Sequence, residues 1–545
     1  MVAAVKNILR EVKKVTRDSL YLYHYYRQQV DDTSILLESK HGADLSDNIF
    51  YILKELHNEH PQYTLYLAVT KESREKIKAL LAYYNLDKVI CVQANWGHYC
   101  KVVTRAKYLF NDTSFRQFII KKPDQIYTNT WHGTPLKRMG DDDFRGRYDS
   151  GNIKRNLVSS DYLLFPSPEA RKKMMRAYGL DQLYKGTILE CGYPRNAVLL
   201  DREAEVITRK RFGLEGKRIV VYMPTWREPA IVEASGQKNV LAQHLQAIDE
   251  GLNDGEILFA KLHILDQGQI DFAHYENIRP FPSSVECYEF LNIADVLITD
   301  YSSVFFDFAN TGKKIILFPY DLKAYEQGRG FYYALDALPF PLAYSAEDVL
   351  FHLGQPKDYD DGEFRRKFCT YDAKDSTAGL LRYVLNGQQA DSIRIGSATS
   401  NGKVSNLLYF CLEDYAQSED GLPIENENEN LFYSFKSCPK AYRKFQGKDL
   451  PEESHLFPLA GELRPTLRER VALFLFYRAG VKVSLVKKLV DRAFDREIIR
   501  FFQGVDFNSV SIQNNSELWA QDLLQRLAII DSQMMGKEGL IRKNE

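Results

Sequence analysis

Two series of short apolar runs, each run followed by a stretch of helical character, set the limits on what this chain can fold into. The first series holds Ile35-Leu36-Leu37, Thr64 to Val69, Val89 to Val92, Tyr108 to Phe110, Gln125 to Thr130 and Tyr162 to Phe165, with helical spacing at 46–56 and 72–84. The second opens after the charge-dense stretch 201–217 with Arg218 to Met223, Ile257 to Leu262, Val296 to Thr299 and Ile315 to Phe318. Apolar runs without strict alternation suit strands covered on both faces, and strands alternating with helices build parallel sheets. Two α/β units in succession are therefore expected, with any ligand in the cleft beyond the carboxyl ends of the strands.

Around these units lie three further segments. Residues 1–30 read as a basic amphipathic helix, with Val5, Ile8, Leu9, Val12 and Val15 at helical spacing beside Lys6, Arg10, Lys13, Lys14 and Arg17. It is either docked on the body with a solvated basic face or laid on an anionic membrane surface. The α/β units span 31–205 and 206–385, and the small polar stretch 386–404 reads as a linker. Residues 405–545 form a mainly helical module of unassigned role. It begins rich in Tyr and Phe, carries the acidic run Glu425 to Asn430, and then opens a helix with the capping box Thr466-Leu-Arg-Glu469. Further helices are expected from about Ser484 to Phe502 and from Ser516 to Ser532. The module could also dimerise.

Charge and cysteine usage narrow the partners. With 72 Lys and Arg against 73 Asp and Glu, the net charge of −1 gives no global pull on nucleic acid, and any anionic contact must be local. The seven cysteines show no CxxC spacing, so reduced thiols are expected and a structural metal is not. No signal-like or bilayer-spanning apolar run occurs, which points to the cytoplasm.

Four strand ends carry the chemistry. Asn129-Thr-Trp-His-Gly-Thr-Pro-Leu-Lys-Arg-Met-Gly140 puts His132 on a sharp turn, with Gly133 and Thr134 next to it and Lys137 and Arg138 just beyond. Tyr222-Met-Pro-Thr-Trp-Arg-Glu228 presents Thr225 and Arg227, and Phe259-Ala-Lys-Leu-His263 ends on a second histidine. In Ile298-Thr-Asp-Tyr-Ser-Ser303, Asp300, Ser302 and Ser303 precede a helix whose first N–H groups suit a phosphate; capping alone is the plainer alternative. Downstream, Tyr325-Glu-Gln-Gly-Arg-Gly330 sets Arg329 in a glycine-flanked loop, a second clamp for phosphate oxygens or a solvated charge.

These motifs, in this order, resemble the CDP-glycerol glycerophosphotransferase family of teichoic acid primases and polymerases and their capsule relatives. Asn129 to Lys137, Pro224-Thr-Trp-Arg227, His263, Asp300 to Asp307 and Arg329 to Tyr332 carry the likeness, with weaker matches at Glu38 to Gly42, Asp47-Asn48 and Arg105 to Tyr108. Lys261 and Ile264 depart from the pattern around the second histidine. The resemblance implies two Rossmann-like domains of the glycosyltransferase B type, the first holding the acceptor and the second a CDP-polyol. It implies transfer of glycerol phosphate or ribitol phosphate from CDP-glycerol or CDP-ribitol to a hydroxyl of a lipid-linked or polymeric acceptor, with release of CMP. His132 and His263 are then the catalytic pair, with His132 as base. Thr225, Arg227, Asp300, Ser302, Ser303 and Arg329 face the donor, while Gly133, Thr134, Lys137 and Arg138 face the acceptor. No cofactor is called for, and the expected place of work is the inner face of the cell membrane. A nucleotide-sugar glycosyltransferase of the same fold and a non-catalytic scaffold are the alternatives.

Overall fold

The computed structural model describes residues 2–527 apart from 95, 144–145, 226–239, 263–269, 323–324, 326–329, 397–405, 410–430, 435–454, 503–504, 506, 508 and 513–517. The first series of strands, β1 (Asp31–Glu38), β2 (Thr64–Val69), β3 (Ile90–Gln93), β4 (Ala106–Asn111), β5 (Ile126–Asn129), β6 (Tyr162–Phe165) and β7 (Thr187–Glu190), forms a parallel sheet ordered 7-6-5-4-1-2-3. Its middle is apolar on both faces. Ile35 and Leu37 of β1 pack into one helical layer while Leu36 packs into the other, and all three are fully buried.

The second sheet is also parallel, with β8 (Arg218–Met223), β9 (Glu256–Ala260), β10 (Ile278–Pro280), β11 (Val296–Thr299) and β12 (Lys314–Leu317) in the order 10-9-8-11-12. Ile219 and Val221 face one core and Val220 and Tyr222 the other, so the same two-sided burial holds. The chain then returns to the first unit. Helix Ser376–Asn386, counted with the second unit from sequence, packs Leu380, Leu381 and Val384 beside Ile35 and Leu37. Within the expected linker, β13 (Arg394–Gly396) pairs antiparallel with β7 and closes the edge of the first sheet.

The chain thus crosses between the units twice, near Tyr193–Asn196 and near Asp372. The crossings are bonded to each other: Asp372 Oδ1 accepts the Tyr193 N–H at 3.0 Å and Asn196 Nδ2–H at 3.1 Å.

The C-terminal module has the expected helices Leu467–Tyr477 and Ser484–Phe502 and helical residues at 518–527. Thr466 and Glu469 close the capping box. The module also holds a four-stranded parallel sheet, β16 (His455–Leu456), β15 (Leu431–Ser434), β14 (Asn406–Tyr409) and β17 (Ser509–Ile512) in that order, which the sequence reading missed. Its core is continuous with the first unit: Leu407, Phe432, Phe457 and Phe502 share a cluster with Trp131, Tyr178 and Ile188. The acidic run 425–430 lies outside the described residues.

The N-terminal helix, Val2–Arg27, is docked on the body through its second half. Tyr21 and Leu22 are buried against the first unit, and Asp18 bonds Arg464 of the C-terminal module at 2.9 Å, whereas Leu9 and Val12 nearer its start are exposed.

Candidate active site

The turn after β5 is built by carboxamides. Beyond β5, Trp131 takes a left-handed φ of 52°, a conformation that costs a non-glycine residue about 1–2 kcal/mol. Two asparagines hold it there. Asn129 Oδ1 accepts the Trp131 N–H at 2.9 Å, and Asn48 Nδ2–H donates to the Trp131 carbonyl at 3.1 Å. Trp131 itself is buried, and its indole stacks on the His132 ring with centroids 4.3 Å apart.

The turn delivers His132 to the cleft with its tautomer chosen. Nδ1–H donates to the Asp112 carbonyl at 2.8 Å; a carbonyl can only accept, so Nδ1 carries the proton and Nε2 is left as a proton acceptor. The ring opens on solvent, yet the surrounding protein withholds enough water to lower its pKa, with the Asp112 bond opposing and the Arg195 cation adding to the effect. Such a group is unprotonated at neutral pH, as a general base must be.

The turn after β11 faces it. β11 ends at Thr299, whose hydroxyl donates to the Met223 carbonyl at 2.6 Å, and the buried Asp300 follows. The Asp300 carboxylate accepts the Thr225 N–H at 2.8 and 3.0 Å and also the Tyr301 N–H. Asp300 therefore fastens the exit of β8 to the exit of β11. Ser303 is the N-cap residue of helix Val304–Phe308, and its side chain makes no capping bond.

Gly133 is where the two turns touch. A Cβ on it would lie 2.8 Å from Ser303 Oγ and 3.1 Å from Arg195 Nη2, and its φ of 143° is one that side-chain-bearing residues rarely adopt. Between the turns lies a cleft of about 310 Å³, lined by Trp131 to Lys137 and Met139 on one side and by Thr225, Tyr301, Ser302 and Ser303 on the other.

Lys137 and Arg138 lie along the junction. Residue 137 bridges Phe331 in antiparallel fashion, the Arg138 N–H donates to the Gly330 carbonyl at 3.2 Å, and the Tyr332 N–H donates to the Leu136 carbonyl at 2.8 Å. Lys137 Nζ sits 5.1 Å over the Tyr325 ring, which stacks on Tyr301 at 3.9 Å. The structure thus brings together His132, Gly133, Thr134, Lys137, Thr225, Ser302 and Ser303. Arg227, His263 and Arg329 lie outside the described residues.

Sequence reasoning missed Arg195. It is buried, donating through Nη1 to the His132 carbonyl at 3.0 Å and through Nη2 to Asp307 Oδ2 at 2.7 Å, so one guanidinium ties the His132 turn to helix Val304–Phe308. Burial acts against its charge and is the largest single influence, but Asp307, Tyr288, Asp47 and Tyr193 together outweigh it and keep Arg195 protonated. Asp307 also accepts Tyr288 Oη–H at 2.8 Å and Asn196 Nδ2–H at 3.1 Å. The available signal was Gly192-Tyr-Pro-Arg-Asn196, an arginine in a glycine–proline turn just after a strand.

The comparisons with known proteins agree with this geometry. The model of the family CDP-Glycerol:Poly(glycerophosphate) glycerophosphotransferase matches residues 19–386. The chain is 28% identical over 412 residues to the teichoic acid poly(glycerol phosphate) polymerase of Bacillus subtilis (strain 168), covering 70% of this chain but 54% of that polymerase, about half its length. It is 29% identical over 387 residues to the teichoic acid glycerol-phosphate transferase of Staphylococcus aureus (strain NCTC 8325 / PS 47), covering 67% of this chain and 96% of the transferase. Among solved structures, the wall teichoic acid polymerase TagF superposes with a TM-score of 0.58 at 25% identity, over 70% of this chain and 97% of the other. The C-terminal module lies beyond the family match, which nevertheless takes in well over half of the residues: the chain belongs to the CDP-glycerol:poly(glycerophosphate) glycerophosphotransferase family.

Proposed function

We propose that the chain transfers a polyol phosphate, glycerol phosphate or ribitol phosphate, from a CDP-polyol to a hydroxyl of a lipid-linked or polymeric acceptor and releases CMP. The observation that carries this reading is the contact of two turns: a histidine with Nε2 open to the cleft, and a paired-serine helix start pressed against its neighbour Gly133. In the step, the acceptor oxygen bonds to the polyol-bearing phosphorus as its proton passes to His132 Nε2, and the bond from that phosphorus to the CMP oxygen breaks. Ser302, Ser303, Thr225, Arg227 and Arg329 hold the donor phosphates, with His263 meeting the charge that grows on CMP. Gly133, Thr134, Lys137 and Arg138 hold the acceptor. Asp300 acts through the Thr225 turn.

No metal is needed in this scheme because protein cations and N–H groups meet the charge, so turnover should survive EDTA. The deciding experiment incubates the chain with CDP-glycerol, CDP-ribitol and UDP-sugars plus a synthetic lipid-linked primer, followed by mass spectrometry of the product. Release of UDP would favour a glycosyltransferase, and no release from any donor a scaffold. His132→Ala should lower turnover about 100- to 10,000-fold.

The chain also works, in this reading, as a peripheral protein on the cytoplasmic side of an anionic membrane. No described helix is long and apolar enough to cross a bilayer. Helix Val2–Arg27 and the C-terminal helices adjoin through Asp18–Arg464 and through Arg492, 4.7 Å over the Tyr26 ring. Exposed Leu467, Val471, Phe474, Val483 and Leu485 lie among exposed Arg468, Arg478, Lys482 and Lys487, the combination that inserts apolar groups among anionic headgroups. Flotation with phosphatidylglycerol vesicles at low salt tests this; self-association through the same face would appear in light scattering instead.

A further inference from the structure

The peptide that receives the His132 Nδ1 proton is tied down from three sides. Asp112 follows β4, and while its carbonyl accepts Nδ1–H at 2.8 Å, its carboxylate turns toward the loop after β1. There Oδ2 accepts Ser39 Oγ–H at 2.6 Å and Oδ1 accepts the Lys40 N–H at 3.0 Å. That loop is itself held in an unusual path, with Lys40 and His41 at φ of 46° and 58°. Asn111 completes the arrangement, since its carbonyl accepts the Thr130 N–H at 3.0 Å and its Oδ1 accepts the Thr113 N–H at 2.6 Å. Ser39, Asn111 and Asp112 are fully buried, so water does not compete for these bonds.

We infer that Asp112, backed by Ser39, is a positioning residue for the transfer: its carboxylate fixes the peptide whose carbonyl selects the Nδ1–H tautomer of His132 and aims Nε2 into the cleft. This rests on the reading of His132 as the base. A free neutral imidazole places its proton on either nitrogen, and only one choice leaves the cleft-facing nitrogen basic. Two acceptor oxygens on one carboxylate, each taking one donor from the β1 loop, hold the carbonyl still without touching the ring. The titratable and charged groups around the pair are Lys40 and Asp47, near both Asp112 and His132, Glu38, near Asp112, and His41 and Arg195, near His132.

The test uses the full chain labelled with 15N-histidine, with the His132 signals assigned by their loss in His132→Gln. Wild type should show His132 as the Nδ1–H tautomer above its titration. Asp112→Ala should give a mixture of tautomers and slow CMP release about 10- to 100-fold, the usual loss on removing an orienting partner, while KM for the CDP-polyol holds. The acid limb of its pH–rate profile should move to lower pH, because the lost bond favours the imidazolium. Asp112→Asn, which keeps an acceptor oxygen, should recover most of the rate, and Ser39→Ala should shift tautomer and limb in the same direction by less. An Nε2–H tautomer in wild type, or an unmoved tautomer and limb in Asp112→Ala, overturns the inference. Should Asp112→Ala fail to fold, Ser39→Ala decides by the same two readouts. Full turnover in His132→Ala would instead sink the base assignment, with the tautomer measurement still standing on its own.

Discussion

Gly133 carries the closest approach between the two halves of the site. A methyl group there meets Ser303 Oγ and the Arg195 guanidinium and requires a strained φ, so Gly133→Ala must distort the turn and displace these two side chains. Displacements of this size cost about 100-fold in positioned reactions, and we expect that loss in CMP release with an unchanged circular dichroism spectrum. Arg195→Met has a different signature. It leaves Asp307 buried without its cation, which destabilises by about 3–5 kcal/mol in urea unfolding. It also removes a positive charge that depresses the pKa of His132, so the acid limb should move to higher pH, opposite to Asp112→Ala. His132, Gly133 and the serines were legible because strand, turn and side chain are adjacent in sequence. The Arg195–Asp307 pair spans 112 positions, and nothing local in either residue announces the other.

Between elements, the docking of the C-terminal module is the least expected feature. Gly151, at the start of helix Gly151–Ser159, lies so close to the Pro458 carbonyl that no Cβ fits, and the buried Lys154 Nζ bonds both Asp141 and the Leu456 carbonyl. Because Phe457 shares a core with Trp131, the module supports the His132 turn from behind. Phe457→Ala should lower unfolding stability by about 3–5 kcal/mol and reduce turnover with it; unchanged kinetics would separate the module from the site. The strands of the two central sheets were readable as apolar runs with few register errors. The strands β7, β10 and β13 and all of β14 to β17 were not; each is two to four residues long and shows no period of its own. The capping box at Thr466 was legible because its signal is complete within four residues.

Across the whole molecule, buried carboxyls set the response to pH. Burial pushes Glu38, Glu286 and Asp372 up to about 7 and Asp112 to about 6. These folded values exceed the unfolded ones, so the folded chain keeps these protons longer, and the contribution of these four carboxyls to stability falls as pH rises from about 4 to 7 before levelling, against an opposite pull from histidines whose burial lowers their pKa. Glu286 bonds Tyr51 and the Asp47 N–H across the junction of the units. Glu286→Gln should flatten part of that decline when urea midpoints are followed across the range, and an unchanged slope would locate the effect elsewhere. The two crossings near Tyr193 and Asp372 bear on how the cleft can move. A single tether between two bodies leaves them free to swing, twist and slide. Two tethers pinned together by one carboxylate behave as the spine of a book: the covers part along one line, and torsion about the long axis is resisted. On the function proposed above, a donor carried by the second unit would then return to the same register against His132 at each closure.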